Sequence, residues 1–501
     1  MTEIRKSGII LHPTSLPGPD GIGDLGPAAF AWLEALKTAG IGLWQVLPLS
    51  PTGYGDSPYQ AFSAFAGNPY QISPALLLEK GWLEAEDFND RPEFPVEHID
   101  FGSAIQWKLK ILNRAYQRFL HIKHHKQADY AGFVEKNRYW LEDYALFMTI
   151  KESQNGVAWT DWPEPLRNRQ TDVIESFIEK HASEIEKQRF FQYCFTQQWQ
   201  QLREFAHQNN IQIIGDIPIF VSHDSADVWA NPGLFFLDET GKPTVVAGVP
   251  PDYFSPTGQL WGNPHYRWKV HAKDGYRWWL SRIENTLQMV DLIRMDHFRG
   301  FAGYWEVPAG QTTAEIGKWV KGPGEDLFNA IRSKLGDLPI IAEDLGRITP
   351  DVVELRDHFN LPGMKILQFA FEPDARDPFL PHNYPVNCVA YTGTHDNDTT
   401  RGWYESRPQA ETSACLRYLA SDGENIAWDM IRAVWASTAR LALAPLQDFL
   451  QLGSEARMNY PGKPAGNWNW RVRQDQITLE LLDYIRELNA TYGRNSQETA
   501  S

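Results

Sequence analysis

Four acids sit where short apolar runs give way to polar sequence: Asp216 in IIGDIPIF, Asp296 in LIRMDHF, Glu343 in IIAEDLG and Asp396 in YTGTHDND. A single acid after a buried strand is ordinarily a helix cap or a turn residue. Four in comparable positions point to chemistry, because gathering anions costs free energy unless cations or a reaction require them. Arg294 precedes Asp296 by two residues, so on a strand both side chains share a face. A guanidinium there keeps Asp296 ionised and fit to act as a nucleophile. Close anions at Asp296 and Asp396 would instead raise the pKa of Glu343, leaving it protonated and able to act as a general acid. One ionised and one protonated carboxyl is the pair that glycosidic bond cleavage uses.

These acids need a frame that brings distant segments together. Eight apolar runs recur along the chain: 8–15, 43–51, 211–220, 290–297, 338–346, 364–372, 387–398 and 441–450. Four to six apolar positions without alternation fit strands buried on both faces, as in a parallel sheet. Helical patterns lie between many of them. In FTQQWQQLREFAHQNN, Trp199, Leu202, Phe205 and Ala206 share a face, and Asn209-Asn210 stops the helix. Pro350-Asp351 starts another, and Pro362 ends it. The pattern predicts an α/β fold, a (β/α)₈ TIM barrel, with a doubly wound open sheet as second choice. On such a barrel, polar residues at the C-terminal ends of strands face the mouth.

The spacing predicts a single catalytic barrel over 1–501 with large insertions. About 160 residues separate the second and third runs and about 70 the third and fourth. Insertion subdomains are expected over 52–205, with a helix over 105–120 whose stripe is Leu109, Leu112, Tyr116 and Phe119. A second insertion is expected over 221–289, including a candidate lid at 246–264. Long barrel insertions shape the cleft, because the active face is built from loops.

Composition excludes some classes. Net charge is −16, the wrong sign for a phosphate-backbone binder. Cys194, Cys388 and Cys415 are odd in number and widely separated, which fits a reducing cytoplasm better than a disulfide framework. No apolar run reaches the ~20 residues of a membrane span, and the N-terminal run is too short for a signal peptide. Phe, Trp and Tyr make up 13% of the chain. A large core explains most of them, and some offer the flat faces that suit sugar rings.

In order, GDIPIF, IRMDHFRG, AEDLG and GTHDND are similar to the four signature regions of the α-amylase clan. SPTGYGDSPYQAFSAFAGNP (50–69), VAGVPPDYFSPTGQLWGNP (246–264) and ARMNYPGKPAGNWNWR (456–471) resemble motifs particular to the 4-α-glucanotransferases of the amylomaltase, or disproportionating enzyme, family. The likeness runs from Gly8 to Arg471. It implies a retaining transfer of α-1,4-glucan segments to the 4-hydroxyl of an acceptor glucan or glucose, with no cofactor, no metal and no separate C-terminal β-domain. Asp296 matches the nucleophile, Glu343 the acid/base and Asp396 the third carboxylate, which grips sugar hydroxyls. Arg294 and His395 match charge-tuning and sugar-contacting positions, and Asp216 matches the first signature region. Maltooligosaccharides are the implied partners, with neither nucleic acid nor membrane.

Within the candidate lid, Tyr253, Phe254 and Trp261 offer stacking faces, and Asp252 and Gln259 could bond acceptor hydroxyls. Tyr54, Tyr59 and Trp468 are candidates of the same kind, and packing of these rings onto the barrel is the plainer explanation for some. Asp224 and Asp227 in HDSADVW read as helix caps. Three rivals stand beside this reading: a hydrolase of the same clan, a metal-dependent barrel hydrolase using His12, His223, Asp224 and His297, and a non-catalytic glycan binder. The first strand carries H-P-T rather than an H-x-H pair, which counts against the metal site.

Overall fold

All eight apolar runs form parallel strands that close on themselves in the computed structural model, which describes residues 5–251, 255–336, 339–372, 374–463 and 465–496. In chain order the strands are β1 (Lys6–Ile10), β2 (Leu43–Gln45), β3 (Gln212–Pro218), β4 (Val245–Val249), β5 (Gln259–Pro264), β6 (Leu292–Asp296), β7 (Gly303–Pro308), β8 (Lys318–Lys321), β9 (Ile340–Ala342), β10 (Gly363–Ile366), β11 (Cys388–Tyr391) and β12 (Leu441–Pro445). The barrel order is β1-β12-β11-β10-β9-β6-β3-β2. The expected (β/α)₈ barrel is borne out.

The strands read as continuous apolar runs because both faces are covered. Ile10, Leu43, Ile214, Ile341, Met364, Val389, Leu441 and Leu443 pack together inside the barrel. Ile9, Trp44, Ile213, Ile293, Ala442 and Ala444 belong to the larger core that includes the surrounding helices. Gly8 is required by this filling: a Cβ there would lie 2.7 Å from Leu43 Cβ and 2.9 Å from Leu443 Cγ. Polar groups also reach into the barrel, where Tyr391 donates to Gln45 Oε1 at 2.9 Å. Asp216 and Arg294 are directly paired across β3 and β6.

The chain between β2 and β3 is mostly helical. The helix Ala182–Gln208 ends at Asn209, and Asn210 turns the chain with φ 58°. Trp199, Leu202 and Ala206 are buried as their spacing requires, with Trp199 against Trp44 at 6.2 Å between rings. Two buried glutamines on this helix act as backbone surrogates. Gln192 Oε1 accepts from the Gly67 amide at 2.8 Å while its Nε2 donates to the Gly67 carbonyl at 2.9 Å. Gln198 does the same for Ser73, at 2.7 and 3.0 Å. The helix Phe101–His121 buries Ala104, Trp107, Lys108, Ile111, Leu112, Ala115, Tyr116 and Phe119. That face is offset from the expected stripe, leaving Leu109 half-buried. Lys108 lies on it because Asp24 at 2.7 Å and the Ile72 carbonyl at 2.9 Å take up its ammonium protons.

A second sheet, β5-β4-β7-β8, is antiparallel. It joins the chain after β3 to the chain after β6. Strands β4, β5, β7 and β8 were not expected from sequence, β4 and β5 lying across the stretch read as a candidate lid: three of the four residues of β8 are exposed, so no apolar run announces it. The caps expected in HDSADVW also differ. Ser225 caps the helix Ala226–Ala230 through the Val228 amide. Asp224 instead pairs with Lys151 at 2.6 Å, and buried Asp227 accepts from the Ala64 amide at 2.8 Å. Both acids tether the preceding insertion, which capping statistics cannot foresee. After β12 come a short helix, Leu446–Phe449, and the helix Leu479–Thr491. Among the described residues there is no C-terminal β-domain, and no helix is long and apolar enough to cross a membrane.

Replacing Gln198 by Leu removes both partners of the buried Ser73 backbone. Each stranded group costs about 1–3 kcal/mol, so Gln198→Leu is expected to lower the urea unfolding midpoint clearly. An unchanged midpoint would show that Ser73 finds other partners.

Candidate active site

The acids of β3, β6 and β9 meet because these strands are neighbours in the barrel. Asp296 is the last residue of β6, and Glu343 directly follows β9. Asp216 lies two residues inside the end of β3, and Asp396 lies five residues beyond β11, on a loop. Sequence analysis placed all four at strand ends; two of them sit there.

Arg294 is the hinge of the site. Its Nη1 donates to Asp216 Oδ2 at 2.7 Å and to Asp296 Oδ1 at 2.9 Å. The guanidinium and Asp216 are sealed, at 3% and 0% side-chain exposure, whereas Asp296 keeps 28% open toward the mouth. Burial works against the Arg294 cation, but Asp216 and Asp296 outweigh it and hold its pKa above the ordinary arginine value. Burial pushes Asp216 the other way, up to about 6, against the pull of Arg294.

A polar chain continues from Asp216. Tyr59 Oη donates to Asp216 Oδ2 at 3.0 Å and lies 2.9 Å from His395 Nε2. His395 Nε2 is 3.3 Å from Asp396 Oδ2. Asn459 Nδ2 donates to Asp396 Oδ1 at 2.6 Å, and Arg457 donates to the Asp396 carbonyl at 2.7 Å. Burial alone would raise the Asp396 carboxyl; His395, Asn459 and Arg294 reverse that and hold it below the usual carboxylate range. The loop carrying it is pinned from beneath. Asp448 accepts from Thr392 Oγ1 at 2.6 Å, Thr400 Oγ1 at 2.7 Å and the Thr400 amide at 2.7 Å.

Glu343 is tied to the strand of Asp296. Its Oε2 accepts from the His297 amide at 2.6 Å and its Oε1 from the Leu345 amide at 2.9 Å. His297 adopts a left-handed conformation, φ 51°, uncommon for a non-glycine residue and characteristic of functional turns. Burial pushes Glu343 up to about 8; Arg294 opposes and Asp296 assists. The direction matches the expectation from sequence, but the main cause is loss of water rather than neighbouring anions.

Aromatic side chains wall the mouth. Tyr59 stacks on His395 with ring centres 5.2 Å apart, and Trp468 lies 5.7 Å from Tyr59 and 5.9 Å from His395. Trp261 of β5 meets His297 edge-on at 4.8 Å and donates to Gln259 Oε1 at 3.2 Å. Tyr54 stands apart, with no ring partner among the described residues, and is 78% exposed. Asp252, Tyr253 and Phe254 lie outside the described residues. His223 and Asp224 are engaged elsewhere, with the Gly241 carbonyl at 2.8 Å and with Lys151.

Comparison with known proteins follows the same lines. The family model described as 4-alpha-glucanotransferase matches residues 11–478. The chain belongs to the 4-α-glucanotransferase family. A 4-alpha-glucanotransferase of Thermus thermophilus is 51% identical over 485 residues, covering 95% of this chain and 96% of that one. The chloroplastic/amyloplastic 4-alpha-glucanotransferase of Solanum tuberosum is 45% identical, covering 98% of this chain and 86% of its own length. An amylomaltase from Streptococcus agalactiae, solved in complex with acarbose, superposes with a TM-score of 0.96 at 38% identity, covering 98% of this chain and 100% of that one.

Two members of this 4-α-glucanotransferase site escaped the sequence reading. Asn459 and Arg457 grip Asp396, yet neither follows a strand, and their signal was only that both fall within the quoted stretch ARMNYPGKPAGNWNWR. The His297 amide, a backbone group, leaves no trace in residue type.

The Glu343 proton has a consequence for stability. Its folded pKa of about 8 lies above the ordinary 4.5, so the native state retains a proton that the unfolded chain releases. The stabilisation is present in full below the unfolded value and is lost as pH rises through the folded one. Glu343→Gln has no proton to lose. Its unfolding midpoint is therefore expected to rise relative to the parent as pH goes from 5 toward 8, then level off; a constant difference would contradict the burial effect.

Proposed function

We propose that Asp296 is the nucleophile, Glu343 the acid/base and Asp396 the sugar-gripping carboxylate of a retaining 4-α-glucanotransferase acting on maltooligosaccharides and other α-1,4-glucans. The observation that carries this reading is the coupling of Asp296 and Glu343: one shares the Arg294 guanidinium, and the other binds the amide of the very next residue. An acid kept protonated by burial thus faces a carboxylate positioned by a cation.

In the first step Glu343 gives its proton to the glycosidic oxygen while Asp296 attacks the anomeric carbon. The carbon–oxygen bond breaks, the reducing-end fragment leaves with the proton, and an ester joins the sugar to Asp296. In the second step the 4-hydroxyl of an acceptor glucan or glucose attacks that carbon, Glu343 takes the hydroxyl proton, and the ester bond breaks. Two inversions give retention. Asp396 and His395 hold hydroxyls of the reacting ring, with Tyr59 as its stacking platform, while Asp216 acts through Arg294.

Transfer requires the acceptor to outcompete water at the ester. The second sheet brings Trp261 and Gln259 to His297, beside Asp296, which supports an acceptor site there. Asp252 and Phe254 complete the proposed substrate-binding set. We assign the insertions over 52–205 and 221–289, with the 246–264 segment, to shaping this cleft on a single catalytic barrel. Three free, buried cysteines support a cytoplasmic setting in carbohydrate metabolism.

A time course on maltotriose separates transfer from hydrolysis. Longer maltodextrins together with glucose are expected, growing while total reducing ends stay nearly constant. Glucose and maltose alone, with reducing ends rising, would make the protein a hydrolase.

A further inference from the structure

Beside His395 lies a small cavity lined by His12, Ser15, Thr394, His395, Pro445 and Gln447. It exists because β1 and β11 flank β12, so the segments leaving them converge over Pro445. About 20 Å³ is open to the centre of a water molecule, room for one or two.

Two imidazoles line this space, at 5% exposure for His12 and 4% for His395. Each commits Nε2 to a neighbour. His12 Nε2 is 3.1 Å from Gln71 Nε2, and His395 Nε2 faces Tyr59 Oη and Asp396 Oδ2. Both Nδ1 atoms are buried and have no hydrogen-bond partner among the described residues.

The partners dictate the tautomers. Asp396 can only accept, and Tyr59 spends its own proton on Asp216, so His395 must carry hydrogen on Nε2. With its hydrogen on Nε2, the ring presents Nδ1 as an acceptor. With the Gln71 amide donating to His12 Nε2, His12 carries its hydrogen on Nδ1. A buried donor and a buried acceptor therefore belong to two rings that line one cavity large enough for water. Burial holds His12 neutral, with its pKa down to about 3, and Asp398 and Arg457 line the same space.

We propose that a water molecule bound in this cavity accepts from His12 Nδ1 and donates to His395 Nδ1, making His12 the positioning residue that fixes the ring plane of His395. The consequence reaches the site: His395 keeps its Nε2–H on Tyr59 and Asp396, the carboxylate proposed to grip the sugar. Without the water, the buried Nδ1 lone pair is stranded and nothing on that side holds the ring plane.

The inference rests on the proposed role of His395, but the tautomer can be read whatever reaction the site performs. In the intact protein labelled with ¹⁵N-histidine, His395 should show a protonated Nε2 and a bare Nδ1. A protonated Nδ1 in the resting protein would overturn the proposal. His12→Phe fills the cavity and offers no hydrogen bond. It should lower kcat roughly 10-fold, with His12→Gln recovering part of the loss. In a His395→Ala background the same His12→Phe change should cost less than about 2-fold. An equal loss in both backgrounds, or none in either, would show that His12 does not act through His395. Should His12→Phe fail to fold, His12→Gln in the two backgrounds and the ¹⁵N spectrum decide.

Discussion

One guanidinium makes the anionic mouth sustainable. Asp216, Asp296, Glu343 and Asp396 are brought together by the barrel, and Arg294 bridges the first two through a single nitrogen. Removing a paired cation from such a place leaves a buried charge unmatched, which is far costlier than the pair is worth. The register of β3 and β6 sets Arg294 opposite Asp216, and the two-residue strand period sets it on the face of Asp296. Covalent geometry and strand pairing thus decide the electrostatics. Each acid is then assigned its state by surroundings: Asp216 sealed against the cation, Asp396 held by hydrogen bonds, Glu343 stripped of water.

Around this pair the structure invests in rigidity. Asp448 fixes both ends of the loop that bears His395 and Asp396. Gln192 and Gln198 close backbone hydrogen bonds between a barrel helix and the insertion that carries Tyr59. Arg471, buried at 2% exposure, donates to the carbonyls of Leu16, Gly18 and Pro95, and so joins the 456–471 stretch to the loop after β1 and to the insertion after β2. A site assembled from segments hundreds of residues apart needs such ties, because positioning to a fraction of an ångström governs the rate.

Much of this was legible in the sequence, for physical reasons. Strands covered on both faces must be apolar throughout, so all eight barrel strands announced themselves. Asp296 and Glu343 stood out because, with Asp216 and Asp396, they recur where such runs end, and gathered anions need cations or a reaction. What stayed hidden depends on three-dimensional closure. Strand β8 faces solvent and lacks the apolar run. Asn459 and Arg457 follow no strand, so nothing in their position marked them. Glu343 was given the right proton for the wrong reason, since spacing shows which charges are near in sequence but not how much water is lost. Asp224 and Asp227 looked like caps because their tethers, Lys151 and the Ala64 amide, lie far away along the chain.

The central claim is that the carboxylate held by Arg294 becomes covalently bonded to the sugar. Treating the Glu343→Gln variant with a 5-fluoro-glucosyl fluoride, whose leaving group needs no acid, should trap that ester, and peptide mass analysis should place one hexose adduct on Asp296. An adduct on Asp396 or on any other residue would contradict the account, as would turnover of this donor by an Asp296→Ala variant at the parent rate.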